Sequence, residues 1–230
     1  PKNCPHKTDE EMERKVVEIR KEFPAWGARK LRVVLINRGV EGVPAASTIN
    51  SILRRNGMLA QQRRKNRDNK RFEKENPNEL WQMDFKGEIK TLNGRKCYTL
   101  TVCDDASRYN IILAPCENMK TETVQECLKD AFQIYGLPNC ILCDNGSPWA
   151  SNWATRYTRL ELWLFLHGVN VIHGRPYHPQ TQGKEERFHR TLNVELIRRV
   201  DGFRNIAHCE KEFKTWRRIY NWERPHESLN

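Results

Sequence analysis

The chain has 230 residues, 30% of them charged and 38% apolar, with a formal net charge of +11; that length suits one domain of roughly 100–200 residues beside a smaller module. No stretch approaches the ~18 apolar residues of a membrane span, the longest run being Leu162–Leu166, and no basic-then-apolar leader opens the chain, so no membrane partner is expected. Residues 1–76 hold 19 Lys/Arg against 10 Asp/Glu while the remainder holds 21 against 19, as expected of a nucleic-acid-binding front half joined to a nearly neutral back half.

Residues 9–22 read as a helix with Val16, Val17, Ile19 and Phe23 on its apolar side. A second follows from about Ala28 to Asn37, with Leu31, Val34 and Leu35 inward. Pro44 opens a third, Ala45–Asn56, which Asn56-Gly57 ends. On it Ile49, Ile52 and Leu53 face inward, leaving Ser47, Thr48, Asn50, Ser51, Arg54 and Arg55 outside. Three short helices ending in a polar, basic one match a helix-turn-helix DNA reader, although a small bundle with a solvated face gives the same pattern. Residues 61–71 are mostly basic, with almost nothing apolar to bury, and read as an extended linker. There Arg63, Arg64, Lys65 and Arg67 are expected to track phosphates.

From Leu80 the period changes to two: Trp81, Met83 and Phe85 alternate with Gln82, Asp84 and Lys86. Cys97–Cys103 and Tyr109–Ala114 read as further strands. A helix over about Lys120–Tyr135 is expected to bury Val124, Cys127, Leu128, Ala131 and Ile134. Next come a strand at Cys140–Cys143, a helix near Thr155–His167, a strand at Val169–His173, and helices over about Gly183–Val200 and Ile206–Trp222. The order predicts a mixed α/β layered domain. Residues three apart on a strand point to opposite faces, so Cys140 and Cys143 cannot share a metal. The eight cysteines read as scattered thiols suited to a reducing cytosol.

Three carboxylates stand out. Asp84 interrupts an apolar strand, where an unpaired charge is costly unless a metal or solvent compensates it. Asp144 ends an apolar strand, where sites collect in sheets flanked by helices, and could equally cap the turn that follows. Glu186 lies on the first turn of a helix, sharing a stripe with Arg190 and Asn193. By spacing alone, Glu185 serves as well.

Trp81-Gln-Met-Asp84, Cys143-Asp-Asn-Gly-Ser147 and His178-Pro-Gln-Thr-Gln-Gly-Lys-Glu-Glu-Arg187 resemble the three signature blocks of retroviral-integrase-like transposases. Among these the bacterial insertion-sequence transposases are most similar. Val102-Cys-Asp-Asp-Ala-Ser-Arg108, Tyr220-Asn-Trp-Glu-Arg-Pro-His-Glu-Ser-Leu229 and Pro24-Ala-Trp-Gly-Ala-Arg-Lys-Leu31 are similar to further blocks, so the resemblance spans nearly the whole chain. It implies an RNase H-like catalytic domain over 79–230, preceded by a basic linker over 59–78 and an all-α helix-turn-helix domain over 1–58. It selects Glu186 over Glu185, making Asp84, Asp144 and Glu186 the catalytic acids and ligands of two Mg²⁺ (or Mn²⁺) ions. Asp104 and Asp105 then shape a strand end. Lys184, Arg187 and Arg190 would hold phosphates beside the metals. His178 and Gln180 would shape the nearby loop. The implied activity is cleavage at transposon ends and joining of the freed 3′-OH to target DNA. A homodimer or higher oligomer would act on double-stranded DNA in the bacterial cytoplasm, on the nucleoid. A transposase-derived DNA-binding regulator that does not cut is the alternative. The interval from Asp144 to Glu186 is longer than the family's habit, with the surplus over Trp149–Trp163. Relatives often carry another helix-turn-helix in front and a tail behind.

Overall fold

The computed structural model describes residues 8–59, 73–146, 149, 156–174 and 183–226. Two units divide it, one helical and one built on a sheet. The helical unit contains α1 (Glu10–Glu22), α2 (Ala28–Asn37) and α3 (Ala46–Arg55). In α1, Glu10, Glu11 and Glu13 occupy the first turn and Arg20 and Lys21 the last, the arrangement that complements the helix dipole. Val16, Leu31, Ile49, Ile52 and Leu53 are fully buried, and the Phe23 and Trp26 rings stack at 3.9 Å. Gly57, at φ 66°, takes the left-handed conformation that ends α3. The connection over residues 38–45 exceeds the turn of about three to four residues usual in helix-turn-helix readers.

The second unit runs β1 (Trp81–Lys90), β2 (Lys96–Asp104), β3 (Asn110–Cys116), α4 (Thr121–Tyr135), β4 (Cys140–Cys143), α5 (Arg159–Leu166), β5 (Asn170–His173), α6 (Gly183–Leu192) and α7 (Ile206–Trp222). The strands form one sheet in the order β3-β2-β1-β4-β5. β1–β2 and β2–β3 pair antiparallel, β1–β4 and β4–β5 parallel. This is the mixed α/β sandwich expected.

Alternation along β1 and β2 assigns the faces. Trp81, Met83, Leu100 and Val102 pack with Val124 and Leu128 of α4 and Leu160 and Leu164 of α5. On the other face Cys97, Cys103 and Leu113 pack with Phe188 and Leu192 of α6 and Phe213 and Trp216 of α7. Cys140 packs with Leu80 and Leu142, whereas Cys143 joins the α4/α5 core, so the two thiols face opposite ways. Ile134 is 71% exposed, against expectation. At 100° per residue it falls roughly 100° off the stripe centred on Val124 and Leu128, and Tyr135 takes the inward position. The expected single helix over 183–200 instead ends at Leu192 and continues as a π-turn, Asn193–Ile197.

β3 is an edge strand, and α7 satisfies the start of that edge. Asn110 N–H donates to Asn221 Oδ1 at 2.9 Å, and Asn221 Nδ2 donates to the Asn110 carbonyl at 3.0 Å. Arg217 donates to the Asn110 and Ile111 carbonyls and to the Tyr135 hydroxyl. Replacing Arg217 by Ala is expected to cost about 2 kcal/mol in urea unfolding, because it strips a charged donor from part-buried acceptors. Arg217→Ala/Asn221→Ala should also aggregate faster as an edge is exposed. A change within about 0.5 kcal/mol, the ordinary range for surface substitutions, would refute this reading.

Candidate active site

Asp84 lies on the face of β1 that α6 covers, paired across the ladder with Thr101. The register slips between Phe85 and Glu88, with Gly87 at φ 99°; such a bulge bends the strand just past the carboxylate. Burial, and then the negative charge of Asp144, push the Asp84 pKa up to about 6. The sheet therefore brings these two acids to one place: β1 and β4 are neighbours, and Asp144 follows the last residue of β4.

Asp144 Oδ1 accepts the Gly146 N–H at 2.9 Å, so it caps its turn, while its charge acts on Asp84. A Cβ at position 146 would come 3.1 Å from Asp144 Oδ2, which favours glycine there. The Asp144 backbone is held from β5. His173 Nδ1 donates to the Asp144 carbonyl at 3.1 Å, and Nε2 donates to Glu161 Oε1 at 2.8 Å. Burial would lower the His173 pKa, but the Glu161 carboxylate and the Asp144 carbonyl together raise it, since two acceptors want both ring nitrogens protonated. Glu161 also closes a capping box with Thr158 at the start of α5. The Thr158-x-x-Glu161 spacing was a legible signal for that cap; the pairing with His173 had none.

The first turn of α6 divides its residues sharply. Lys184 Nζ lies 2.6 Å from Asp105 Oδ1. Glu185 is buried, and burial followed by the charge of Asp84 holds its carboxyl well above the usual carboxylate range. His189, one turn on, has Nδ1 3.8 Å from Asp84 Oδ2 and Nε2 3.6 Å from Glu185 Oε2. Burial, with the Lys86 ammonium adding to it, pushes the His189 pKa down to about 4, so these contacts are not ion pairs at neutral pH. The Thr101 hydroxyl lies 3.0 Å from the Asp84 carbonyl, 2.8 Å from His189 Nε2 and 3.3 Å from Glu185 Oε2. One hydroxyl proton can serve only one of the three. With the Asp84 carbonyl taking it, the other two contacts need a neutral His189 protonated at Nε2 and a protonated Glu185.

Glu186, Arg187 and Arg190 are exposed. Successive helix residues are turned by 100°, so an inward Glu185 leaves Glu186 facing outward. The structure thus gathers Asp84, Asp144 and Glu185, with Glu186 on the solvent side of the same turn; among the described residues, no three acids, histidines or cysteines converge to hold a metal. On α3, Ser47, Ser51, Arg54 and Arg55 are exposed and Thr48 and Asn50 half-buried, and Arg55 is drawn to Glu13 at 2.7 Å. Arg63, Arg64, Lys65 and Arg67, with His178 and Gln180, lie outside the described residues. No helix among the described residues is long and apolar enough to cross a membrane.

Two family models, both for the integrase core domain, match residues 74–179 and 167–230. An uncharacterized protein of insertion element IS407 from Burkholderia multivorans is 28% identical over 98% of this chain and 80% of its own length. One of insertion element IS476 from Xanthomonas euvesicatoria is 29% identical over 66% of this chain and 42% of its own length. A chain of the simian T-cell lymphotropic virus intasome, solved with a PP2A regulatory subunit, superposes with a TM-score of 0.57 at 16% identity, covering 90% of this chain and 68% of that one; this likeness concerns the fold. The two integrase core domain models together span residues 74–230, more than half of the chain, and with the insertion-element relatives they show that the chain belongs to the integrase core domain family, beside the bacterial insertion-sequence proteins.

Proposed function

We propose that the chain is the DNA-cutting and strand-joining part of an insertion-sequence transposase, with Asp84, Asp144 and Glu186 as its catalytic acids. The observation that carries this is the meeting of Asp84 and Asp144 below the first turn of the helix that bears Glu186. A carboxylate raised to about 6 by burial and a neighbouring acid marks an excess of negative charge that a hard divalent cation relieves. All-oxygen donors suit Mg²⁺ or Mn²⁺, with water and phosphate completing the shell. When bound, two such ions supply Lewis-acid activation and charge neutralisation for in-line phosphodiester displacement.

The chain's own residues do the rest. Glu186, exposed where Glu185 is buried, is the acid of that turn open to an incoming ligand. Arg187 and Arg190 flank it on the outward side and bind phosphate oxygens. Neutral His189 packs below Asp84 without adding charge. Water attacks a phosphodiester at the transposon end and its 3′-oxygen leaves as a free 3′-OH; that hydroxyl then attacks a target phosphodiester, forming the new P–O bond as the target strand's own 3′-oxygen leaves. No enzyme nucleophile takes part: the Cys143 thiol beside Asp144 is held protonated, its pKa pushed up by burial and then by Asp144. In this reading Ser47, Thr48, Asn50, Ser51 and Arg54 of the helical unit read the ends, and the protein works as a homodimer or higher oligomer in the bacterial cytoplasm.

Nicking of a transposon-end duplex in Mg²⁺ tests the triad. Asp84→Asn, Asp144→Asn and Glu186→Gln should each lose on the order of 100-fold or more, while Glu185→Gln, at a buried carboxyl turned away from solvent, should stay within about 10-fold. Full activity in Glu186→Gln would remove it from the site. End binding with no metal-dependent nicking across several ends would favour the regulator.

Stability should follow the Asp84 pKa. Because the folded value lies above the ordinary 3.8, this group favours the fold below about pH 4, and that contribution is lost as pH rises through 6. In EDTA at pH 7.5, Asp84→Asn should therefore be more stable than wild type, by up to about 3 kcal/mol. The difference should vanish below pH 4 and Mg²⁺ should raise the wild-type Tm alone; equal Tm at both pH values would contradict it.

For the reader, Arg54→Ala should flatten the log–log salt dependence of end binding by about 0.9 if it neutralises one phosphate. An unchanged slope and unchanged sequence preference would remove it from the interface.

A further inference from the structure

Lys184 is the second residue of α6, yet its side chain turns back onto the sheet. Its ammonium donates to Asp105 Oδ1 at 2.6 Å and to the Asp105 carbonyl at 3.2 Å. The Asp105 side chain is fully buried, and other donors bind it too. Gln82 Nε2, from β1, reaches Oδ1 at 2.5 Å, and the Lys74 N–H reaches Oδ2 at 2.7 Å. The Asp105 N–H donates to the Leu80 carbonyl at 2.9 Å. One buried carboxylate thus joins the turn after β2, the start of the Asp84 strand, the chain leading into it and the first turn of α6. The same turn of α6 is held a second time on β2, where Glu185 meets Thr101 at 3.3 Å.

We propose that Lys184 is a positioning residue: its ion pair with Asp105 anchors the first turn of α6 and so sets where Glu186, two residues on, stands relative to Asp84. It does not serve as a phosphate contact. An ammonium that gives two hydrogen bonds to a buried aspartate cannot move to DNA without leaving that carboxylate uncompensated. Arg187 and Arg190, exposed on the same helix, have no such tie among the described residues. What the anchor positions rests on the triad reading; the anchor itself does not.

Three measurements on the full chain test this. In metal-free protein, Lys184→Met should speed hydrogen exchange at amides 187–190, whose bonds close the first turn of α6, by about 10-fold or more, with α4 unchanged. Lys184→Arg should restore most of the protection. Lys184→Met should weaken Mn²⁺ binding, read by calorimetry, by about 10- to 100-fold, as loss of outer-shell support does, and leave the salt slope of end binding unchanged. Unchanged exchange together with a slope flattened by about 0.9 would overturn the proposal and make Lys184 a phosphate contact. Faster exchange with unchanged Mn²⁺ binding, in a protein whose Asp84→Asn variant does lose Mn²⁺, would also overturn it, leaving a structural anchor only. If Asp84→Asn leaves Mn²⁺ binding intact, the triad reading fails by itself, and the exchange and salt-slope results decide the anchor.

Discussion

Carboxylates crowded onto one face of the sheet are the constraint around which the sheet unit is organised. Asp84 sits mid-strand with Asp144 close enough to raise its pKa, and Glu185 comes in over it from α6. Three negative charges there would oppose folding by several kcal/mol, because ions taken from water lose hydration that a low-dielectric surrounding does not return. The fold answers by burying one of them: burial and then the Asp84 charge hold the Glu185 carboxyl well above the usual carboxylate range, burial lowers the His189 pKa, and both lie against the Thr101 hydroxyl, which donates to the Asp84 carbonyl. Asp84 and Asp144 are left as acids with an unmet demand for positive charge.

Around this centre buried polar residues form supports. Asp105 collects Gln82, Lys74 and Lys184. Asp104 accepts from Ser107 and from the Asn78 N–H, shaping the turn that follows β2. Glu161 and His173 hold the Asp144 carbonyl from α5 and β5. The Asp105 and Glu161/His173 supports end on the strand, turn or helix turn that carries a proposed metal ligand. Buried networks of this kind stay ordered only when nearly every member finds a partner, so the site inherits its geometry from the core.

The folding pattern itself was largely legible. Period-two alternation from Trp81 to Lys86 named the two faces of β1, and the 3.6-residue stripe of Val124 and Leu128 named the buried side of its helix. Ile134 misled because it lies one rotation away from its stripe, near the helix end where hydrophobicity alone does not tell inside from edge. The π-turn after Leu192 left no compositional mark.

The sequence by itself determined the element order, the apolar faces and the three signature blocks, because these are local periods and spacings. It could also name Asp84 and Asp144 as candidates, but it left Glu185 and Glu186 undecided until family resemblance intervened. Tertiary structure alone decided which of those two neighbours turns inward, that Lys184 faces a buried aspartate, and that His173 and Glu161 brace Asp144. The reason is physical. A side chain's charge state and partners follow from what other parts of the chain place within about 4 Å of it, and neither residue type nor spacing records that proximity.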